Sequence, residues 1–322
     1  RVGLISENRF EWVISYYAAV TGAVLIVPFD IHGDVEALVS YAAFAELRGI
    51  FFSSNYAPAA ERMAAASPGC SLLYNFDDPP AGAVQFNAAG GGDAVADCEP
   101  SGDDPASIIF TSGTTGSPKG VTLSQHGIIA NVNASIMSLP IDERDNFVAV
   151  LPFHHSYPTT CSMVSPLSVG GSVTIVDKIV GPRIVADIRD SGGTILIGVP
   201  LLFDKLRRGI ETKLSSLPEP KRTLLRGLRR LSAVLGRAGI PAGRLLFRGL
   251  RRTAGLSSLR LLVSGGGPLA AETAAFFEEL GFTIVQGYGM SENGPLITTN
   301  TVRHKDNRSA GLPVKHTKIR IA

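Results

Sequence analysis

The chain has 322 residues, 45% of them apolar, which is enough to bury one large α/β domain or two lobes. A formal net charge of +2 and a pI near 8.5 exclude the strongly basic surface typical of nucleic-acid-binding proteins, so we expect no nucleic-acid partner. The three cysteines, Cys70, Cys98 and Cys161, are odd in number and form no CxxC pair. This usage argues against a disulfide framework and a zinc site, and it favours a reducing compartment.

The first hundred residues alternate short apolar strands with helices. Strands are predicted at residues 2–6, 22–28 and 49–53, and helices at residues 9–20 and 35–45. Continuous apolar strands separated by helices indicate a parallel sheet that is covered on both faces. The longest apolar run, near residues 18–29, is too short to span a bilayer. A stretch rich in Gly, Ala, Pro and Asp then predicts a surface connector at residues 79–102.

A loop rich in glycine and hydroxyl side chains follows a buried strand predicted at residues 107–110. Glycine lets backbone N–H groups approach a ligand, hydroxyls donate to oxyanions, and Lys119 adds a mobile positive charge. Such a loop suits a polyphosphate. It is not a Walker A loop, because Pro118 precedes Lys119 and a second β-like run follows at residues 121–123. We therefore predict a phosphate loop between two strands, with a flexible linker as the alternative.

The segment Thr-Ser-Gly-Thr-Thr-Gly-Ser-Pro-Lys-Gly, residues 111–120, resembles the phosphate-loop signature of the AMP-forming adenylating enzymes. That family includes acyl-CoA synthetases, luciferases and the adenylation domains of peptide synthetases. The resemblance implies an α/β fold with two doubly wound parallel-sheet lobes and the start of a small β-barrel. It implies ATP and Mg²⁺ as cofactors and assigns nucleotide contacts to Thr111, Ser112, Gly113, Thr114, Thr115, Gly116 and Lys119.

Two adjacent histidines, His154 and His155, follow a strand predicted at residues 147–151. The carboxyl ends of strands are where α/β sheets bind ligands. We expect no metal on these histidines, since no Asp, Glu or Cys stands at ligand spacing. A similar Pro-Phe-His-His segment in the family lines the acyl pocket, which implies acyl contacts for His155 first and His154 second. A Val-Pro segment that borders the acyl pocket in the family resembles Val199 and Pro200 here, which makes them further acyl-binding candidates. Plain packing in the core is the alternative.

Residues 205–252 are the most basic part of the chain, with fourteen Lys and Arg against Glu211 and Glu219. Spacings of four, three and four predict that one helix buries a leucine stripe and solvates its arginines. The stripe consists of Leu224, Leu228, Leu231 and Leu235. A third helix is predicted to carry Pro241 in its first turn. The basic face is either simply solvated or binds anionic lipid or CoA. Such an insert resembles the long-chain fatty acid branch of the family.

Two glycine-punctuated segments complete the predicted site. Ser-Gly-Gly-Gly-Pro, residues 264–268, follows a predicted strand and resembles a Gly-Gly-Ala segment that meets the adenine in the family, although Gly267 replaces the alanine. Tyr-Gly-Met-Ser-Glu, residues 288–292, resembles the family's Tyr-Gly-x-Thr-Glu motif with Ser291 for threonine. The resemblance implies Mg²⁺ ligation by Glu292 and Thr111 and catalytic roles for Lys119, His155 and Glu292. The further nucleotide-binding candidates are Gly265, Gly266, Gln286, Gly287, Tyr288, Gly289, Met290 and Ser291.

We interpret residues 1–322 as the large N-terminal domain of such an enzyme. It would comprise a first lobe (1–101), a phosphate-loop and acyl-pocket lobe (102–295) and the start of a β-barrel (296–322), with the C-terminal lid domain absent. Arg1 is not an initiator methionine, so we also expect the true start to be missing.

The expected activity is that of a long-chain fatty acid–CoA ligase, with fatty acid and CoA as partners. The fatty carboxylate would attack Mg·ATP to form acyl-AMP, and the CoA thiol would then take the acyl group. Three alternatives stay open: an acyl-AMP ligase that loads a carrier protein, a truncated nucleotide-binding module without turnover, and a basic lipid-binding scaffold that depends on Arg226, Arg229 and Arg230. We expect a cytoplasmic protein, with a peripheral position at the inner membrane face as a variant, and the oligomeric state stays open.

Overall fold

The computed structural model describes residues 1–79, 82–86, 99–111 and 119–320, and the chain divides into two compact units. Unit 1 comprises Arg1–Asn131, Pro152–Thr159 and Ser291–Gly294. Unit 2 comprises Val132–Leu151, Thr160–Met290 and Pro295–Ala322. Each unit is built around its own sheet, as predicted, and both sheets are predominantly parallel.

The sheet of unit 1 has the order β5-β4-β3-β1-β2-β6-β7. Its strands are β1 (Val2–Ile5), β2 (Ile26–Pro28), β3 (Gly49–Phe52), β4 (Leu72–Asn75), β5 (Val84–Gln85), β6 (Pro105–Thr111) and β7 (Lys119–Ser124). All neighbours pair in parallel except β6 and β7, which are antiparallel. Its helices are α1 (Phe10–Thr21), α2 (Val35–Ala45) and α3 (Ala57–Ala65), with a 3₁₀ turn at Ser54–Tyr56. The alternation of apolar strands and helices therefore indicated the sheet type correctly.

Strand β6 pairs with β2, with Ser107 opposite Ile26, and so joins the sheet of unit 1. The lobe boundary at residues 101/102 stays a prediction. One detail of unit 1 differs from the sequence prediction. Strand β5 lies inside the stretch predicted to be a connector and pairs with β4. Strand β5 forms there because the edge of the sheet offers unpaired backbone groups that a segment with weak local preference can satisfy.

The sheet of unit 2 has the order β14-β13-β12-β11-β10-β8-β9. Its strands are β8 (Asn146–Ala149), β9 (Ser172–Ile175), β10 (Ile195–Gly198), β11 (Leu261–Ser264), β12 (Thr283–Gly289), β13 (Leu296–Thr299) and β14 (Leu312–Pro313). Strands β9, β8, β10, β11 and β12 are parallel, whereas β13 and β14 add antiparallel pairs at the edge. That a β-barrel begins in this antiparallel part stays a prediction.

The remaining helices of the described residues range from 3 to 19 residues in length. They are α4 (Gln125–Ser138), α5 (Ser156–Pro158), α6 (Ser165–Ser168), α7 (Gly181–Ser191), α8 (Pro200–Ser215), α9 (Glu219–Arg237), α10 (Gly243–Leu246), α11 (Arg248–Thr253) and α12 (Ala271–Glu279). A π-helix covers Thr159–Val164 and a 3₁₀ turn covers Ser291–Asn293. None of the helices in the described ranges combines the length and the mean hydropathy needed to cross a bilayer.

Helix α9 turns a different face to the core than its leucine spacing predicts. Leu225 and Leu228 pack against the core of unit 2, whereas Leu224 and Leu231 are 61% and 47% exposed. Beside the buried face, the Arg229 guanidinium lies 4.8 Å from the Phe276 ring centre and pairs with Glu279 at 2.7 Å. The predicted four-residue stripe was therefore wrong for two leucines, because contacts with α12 fix the rotation of α9.

The third basic helix also differs from the prediction. Pro241 precedes the helix cap at Ala242, and the segment forms two short helices, α10 and α11, in place of one. The break falls at Phe247, which is 1% exposed and packs into the core of unit 2. Its backbone angles, φ −105° and ψ 15°, lie outside the helical range and separate the two helices.

A buried ion pair ties together the amino ends of three neighbouring strands in unit 2. Asp145 precedes β8, Thr194 precedes β10, and Arg260 precedes β11. The Arg260 Nε donates to Asp145 Oδ1 at 2.9 Å, and the Thr194 hydroxyl donates to the same oxygen at 2.7 Å. The Asp145 side chain is 3% exposed, so its charge depends on these donors.

Candidate functional site

The ends of the predicted phosphate loop are held by an antiparallel strand pair. Strands β6 and β7 flank the loop as predicted, and Thr111 is paired with Lys119 at the open end of the pair. The ring of Phe110 lies 4.5 Å from that of Tyr41, which anchors β6 immediately before Thr111. Lys119 is exposed at the first position of β7. Ser112, Gly113, Thr114, Thr115 and Gly116 lie outside the described residues.

The Ser291–Asn293 turn packs against the same strand pair within unit 1. The Asn131 Nδ2 of α4 donates to the carbonyl oxygen of Asn293 at 3.0 Å. Gly294 adopts a φ of +81°, and a Cβ placed on it would lie 3.9 Å from the Leu123 side chain of β7. Ser291 and the exposed Glu292 are therefore fixed beside the strand that begins with Lys119. Two segments far apart in sequence thus meet on one strand.

The histidine segment, Pro152–Thr159, is anchored from both sides within unit 1. The Phe153 N–H donates to Asn8 Oδ1 at 2.8 Å, and the Phe153 ring lies 5.3 Å from that of Trp12. The Thr159 hydroxyl donates to the carbonyl oxygen of His155 at 2.8 Å. These contacts hold His154 and His155 in one backbone conformation.

A serine pair connects the histidine segment with the Ser291–Asn293 turn. The Ser156 hydroxyl lies 3.4 Å from the Ser291 hydroxyl, and Ser156 is 4% exposed. Because Ser156 follows His155 directly, this contact brings a predicted acyl-binding residue next to a predicted nucleotide-binding residue. The two substrates of an acyl-adenylation reaction would have to meet in such a place.

Asp30 is a further residue of this site that the sequence reasoning missed. It follows β2, and its Oδ1 lies 3.2 Å from His154 Nε2 without being aligned for a hydrogen bond. The ligand atoms of Asp30, His154 and His155 all lie within 4.8 Å of one another. The available signal was that Asp30 stands at the carboxyl end of a parallel strand, as the histidines do. Spacing along the chain could not reveal a carboxylate brought there by the fold.

Both histidines are held in the neutral form. Burial lowers the pKa of His154, and the neighbouring His155 lowers it further against the opposing effect of Asp30. Desolvation also lowers the pKa of His155, again opposed by Asp30 and supported by His32. Neutral imidazoles can hydrogen-bond to a carboxylate or bind a metal ion, but they do not supply a positive charge at pH 7.

In unit 2, the glycine triplet lies against the predicted acyl-binding pair. The Gly265 N–H donates to the carbonyl oxygen of Gly198 at 3.1 Å. Gly266 has a φ of +75°, and a Cβ on it would lie 3.5 Å from Val199. A Cβ on Gly267 would lie 3.6 Å from Pro200, which is an ordinary contact distance. The alanine found in the resembled motif would therefore fit at Gly267.

Strand β12 presents the tyrosine motif at the carboxyl end of the same sheet. Tyr288 is 54% exposed and Met290 is 44% exposed, so both side chains are accessible. Gln286 is 8% exposed, and its amide is already used inside unit 2. Its Oε1 accepts from the Leu269 N–H at 3.2 Å and its Nε2 donates to the carbonyl oxygen of Asn307 at 3.0 Å. The buried Gln286 side chain thus links β12 to the segments that contain Leu269 and Asn307.

Gly287 and Gly289 are required by the crossing of β12 and β13. A Cβ on Gly287 would lie 2.9 Å from the carbonyl oxygen of Thr298, and one on Gly289 would lie 2.2 Å from that of Pro295. The register also shifts between Tyr288 and Gly289. The sequence interpretation, that these glycines free the backbone around Tyr288, missed this close approach of two strands.

We expect Gly289→Ala to destabilise the protein, because the new Cβ must displace the Pro295 carbonyl that accepts from the Met290 N–H at 2.9 Å. Overpacking of this kind costs about 1–3 kcal/mol. Gly227→Ala is the matched control, since Gly227 lies inside α9 with nothing within 4 Å of an added Cβ. Thermal unfolding followed by circular dichroism should show a lower midpoint for Gly289→Ala and an unchanged or higher one for Gly227→Ala. Equal midpoints would contradict the strand-crossing account.

The site residues thus fall into two sets, each described within its own unit. Unit 1 holds Asp30, Thr111, Lys119, His154, His155, Ser156, Ser291 and Glu292. Unit 2 holds Val199, Pro200, Gly265, Gly266, Gln286, Gly287, Tyr288, Gly289 and Met290.

Comparisons with known proteins find a family model for the whole chain and curated relatives for part of it. The family model described as AMP-binding enzyme matches residues 1–322. A curated relative, Long-chain-fatty-acid--CoA ligase 2 of Schizosaccharomyces pombe, is 29% identical over 235 residues, which is 69% of this chain and 34% of that protein. The Long-chain-fatty-acid--[acyl-carrier-protein] ligase AEE15, chloroplastic, of Arabidopsis thaliana is 24% identical over 258 residues, 68% of this chain and 34% of that protein. The chain therefore spans about a third of the length of these relatives.

The fold also matches solved structures. The crystal structure of the anthranilate CoA ligase AuaEII in complex with anthranoyl-AMP superposes with a TM-score of 0.76, at 20% identity. The match covers 98% of this chain and 54% of that one. At this identity the comparison establishes the fold, namely mixed α/β with two sheets in which parallel pairs predominate.

Proposed function

From the premise that this chain belongs to the family of AMP-binding enzymes, we propose that it activates a long-chain fatty acid with ATP and transfers the acyl group to CoA. The first reaction forms acyl-AMP and pyrophosphate, and the second forms acyl-CoA and AMP. The observation that carries the proposal is the Ser156–Ser291 contact of 3.4 Å, through which the histidine segment meets the Ser-Glu segment beside β7. The names of the curated relatives favour long-chain fatty acids as the substrate class.

The chemistry follows from charge. A carboxylate oxygen attacks the α-phosphorus of ATP, the bond from that phosphorus to the bridging oxygen breaks, and pyrophosphate leaves. Both reactants are anions, so the site must neutralise the phosphates and align the attack. Lys119 supplies a cation for the β- and γ-phosphates, and Ser291 a hydroxyl donor for the α-phosphate.

The residues present also fit a bound Mg²⁺. Glu292 offers an exposed carboxylate and Thr111 a hydroxyl, and Mg²⁺ takes oxygen ligands of this type, together with water and substrate phosphates. When bound, the ion would neutralise phosphate charge. The neutral His155 would donate a hydrogen bond to the fatty carboxylate, which positions the nucleophile without pairing it to a cation.

The aromatic and glycine segments of unit 2, taken by themselves, offer surfaces that suit an adenine ring. The exposed ring of Tyr288 offers a face for stacking on the adenine, which contributes on the order of 1–3 kcal/mol per base. Gly265 and Gly266 lack side chains that would keep a flat ring away from the backbone. Val199 and Pro200 offer apolar contacts for the acyl group.

The first step is tested in the full-length protein by the exchange of labelled pyrophosphate into ATP, measured with and without fatty acid. We expect exchange that requires a long-chain fatty acid and Mg²⁺. A module that only binds the nucleotide would bind Mg·ATP and show no exchange. The acceptor is tested by chromatography of the products formed with CoA and with an acyl-carrier protein, because the curated relatives include ligases named for each. Exchange accompanied only by acyl-carrier product would overturn the choice of CoA.

A cavity of about 960 Å³ in unit 2 supports a second element of the proposal, a peripheral contact with anionic lipid. Arg244, Arg248, Arg251 and Arg252 line it together with Leu245, which is 76% exposed. Within the described residues these arginines form no ion pair with an acidic side chain. An exposed apolar side chain among unpaired cations suits a phospholipid surface, where apolar burial and anionic headgroups act together.

Arg251 makes this cavity more positive without being available to a ligand. Its guanidinium donates to the carbonyl oxygens of Gly281 and Leu259 and lies 4.0 Å from the Phe282 ring centre. Burial, followed by the charge of Arg244, lowers the pKa of Arg251 to about 10. Its charge is therefore present at pH 7 with no carboxylate to cancel it. By contrast, Arg226 and Arg229, which the sequence suggested for lipid binding, pair with Glu219 and Glu279.

We expect the triple variant R244Q/R248Q/R252Q to bind phosphatidylserine vesicles about 100-fold more weakly than the parent, at roughly 1 kcal/mol per arginine. Cosedimentation of the full-length protein with vesicles, against phosphatidylcholine alone, measures this loss. The control variant R62Q/R144Q/R303Q removes the same charge from exposed positions that do not line the cavity. If both triple variants lose binding equally, net charge alone is responsible and the cavity has no special role.

A further inference from the structure

We propose that Asp30, His154 and His155 form a binding site for a divalent transition-metal ion of the Zn²⁺ class. The three ligand atoms lie within 4.8 Å of one another. In the part of the chain that the structure describes, this is the one group of three such side chains brought together in this way. All three residues belong to unit 1, so the arrangement lies within one compact unit.

The buried nitrogen of His154 points to a missing ligand. His154 is 4% exposed, and its Nε2 has no hydrogen-bond partner although Asp30 Oδ1 is only 3.2 Å away. A buried polar atom without a partner costs about 1–3 kcal/mol, and such atoms are rare in folded proteins. A metal ion between the imidazole and the carboxylate would satisfy the lone pair of this nitrogen and would remove that cost.

The donor set selects the kind of metal. Two imidazoles and one carboxylate suit Zn²⁺ and its neighbours, whereas Mg²⁺ prefers oxygen ligands and retains its waters. Zinc binds imidazole through the lone pair of a ring nitrogen, and the buried Nε2 of His154 has no hydrogen-bond partner. The site therefore differs in chemistry from the proposed magnesium position at Thr111 and Glu292.

The geometry requires only small movements. Ligand atoms around one tetrahedral zinc ion lie about 3.3 Å apart, given metal–nitrogen distances near 2.0 Å. The spacing of up to 4.8 Å would therefore close by at most roughly 1.5 Å. The side chain of Asp30 is 46% exposed and His155 is exposed, so both can make this movement. The backbone N–H of His32 donates to Asp30 Oδ1 at 2.8 Å and orients the carboxylate, as hydrogen bonds to metal ligands commonly do. With three protein ligands, a fourth position stays open.

The open position has a consequence that rests on the proposed function. If His155 faces the fatty carboxylate, a bound zinc ion would take that carboxylate as its fourth ligand and withhold it from ATP. Zinc would then inhibit adenylation. The zinc inhibition constant should be higher for Asp30→Asn than for the parent, when each protein's rates are divided by its own rate without zinc.

Cobalt titration of the metal-free, full-length protein tests the site without nucleotide, acid or CoA. We expect one Co²⁺ per chain with the visible absorption of four-coordinate cobalt, displaced by Zn²⁺ and not by excess Mg²⁺. Asp30→Asn and His155→Gln should each weaken binding by at least about 10–100-fold, the range found even for residues that only support a ligand. Both positions are partly or fully exposed, so circular dichroism should show folded variants.

His126→Gln is the matched control, because His126 is an exposed histidine of the same unit. It should bind cobalt like the parent. The proposal is overturned if the parent shows no stoichiometric cobalt spectrum, or if Asp30→Asn and His155→Gln bind as tightly as His126→Gln. Neither result would bear on adenylation. Conversely, a protein that binds cobalt as expected but shows no pyrophosphate exchange would refute the proposed function and leave the metal site standing.

Discussion

Replacing Lys119 by methionine is expected to lower kcat/KM for acyl-AMP formation by about 10²–10³-fold, the usual cost of removing one preorganised charge-stabilising donor. Methionine keeps the length of the side chain and removes its charge. Lys119 opens β7 opposite Thr111 and is exposed, so the substitution creates no buried cavity. The loss should appear in the rate of fatty-acid-dependent pyrophosphate exchange, measured over a range of ATP concentrations at saturating fatty acid.

Lys178→Met is the control, since Lys178 is an exposed lysine of unit 2 outside the candidate site. Its exchange rate should equal that of the parent. A Lys119→Met protein that melts at the parental temperature and exchanges within threefold of the parental rate would remove Lys119 from the proposed mechanism. Exchange that is reduced equally in both variants would point to a general effect of lysine loss.

Replacing Arg260 by methionine is expected to lower the free energy of unfolding by about 3–5 kcal/mol, because it leaves the buried carboxylate of Asp145 without its cation. At about 2–4 °C per kcal/mol, the thermal midpoint should fall on the order of 10 °C. Arg144→Met is the control: Arg144 is 84% exposed and pairs with Asp142 at 2.6 Å, in the same turn. Exposed pairs contribute little, so its midpoint should hardly move.

The pH dependence gives this prediction a second readout. Burial opposes ionisation of Asp145, but hydrogen bonds from Arg260, the Asp142 N–H and Thr194 outweigh it and keep the pKa of Asp145 below its usual range. A depressed folded-state pKa stabilises the parent fully above the unfolded value near 3.9, and that stabilisation is lost as the pH falls through the folded value. The difference between parent and Arg260→Met should therefore be larger at pH 7 than at pH 4. A difference that does not change with pH would exclude Asp145 as its source.

Much of the fold could be predicted because local and global preferences agree. The helix at residues 35–45 was predicted to the residue, since Asp34 caps its first turn by accepting from the Ala37 N–H and the following residues are good helix formers. Strands β6 and β7 were recognisable from apolar runs on either side of a glycine-rich loop. In these places the residues themselves carry the signal.

Other features depend on contacts that no local pattern contains. Asp30 joins the two histidines only because β2 delivers it to that end of the sheet. The side-chain amide of Gln286 bonds to Leu269 and Asn307, which its position in the motif does not indicate, and its nucleotide contact stays a prediction. Leu224 and Leu231 fit a buried stripe, but the packing of Leu225 and Leu228 against the core turns them outward. Tertiary contacts decided each of these cases over the local pattern.

The central claim is that the Lys119 strand and the Ser291–Glu292 turn bind one magnesium nucleotide, and calorimetry tests it most directly. Titration of the full-length protein with a non-hydrolysable ATP analogue and Mg²⁺ should give one site per chain. Lys119→Met and Glu292→Gln should each weaken binding at least tenfold, only Glu292→Gln should abolish its dependence on Mg²⁺, and the control Glu272→Gln should bind like the parent. Absence of binding heat in the parent, or binding that neither substitution weakens, would contradict the account.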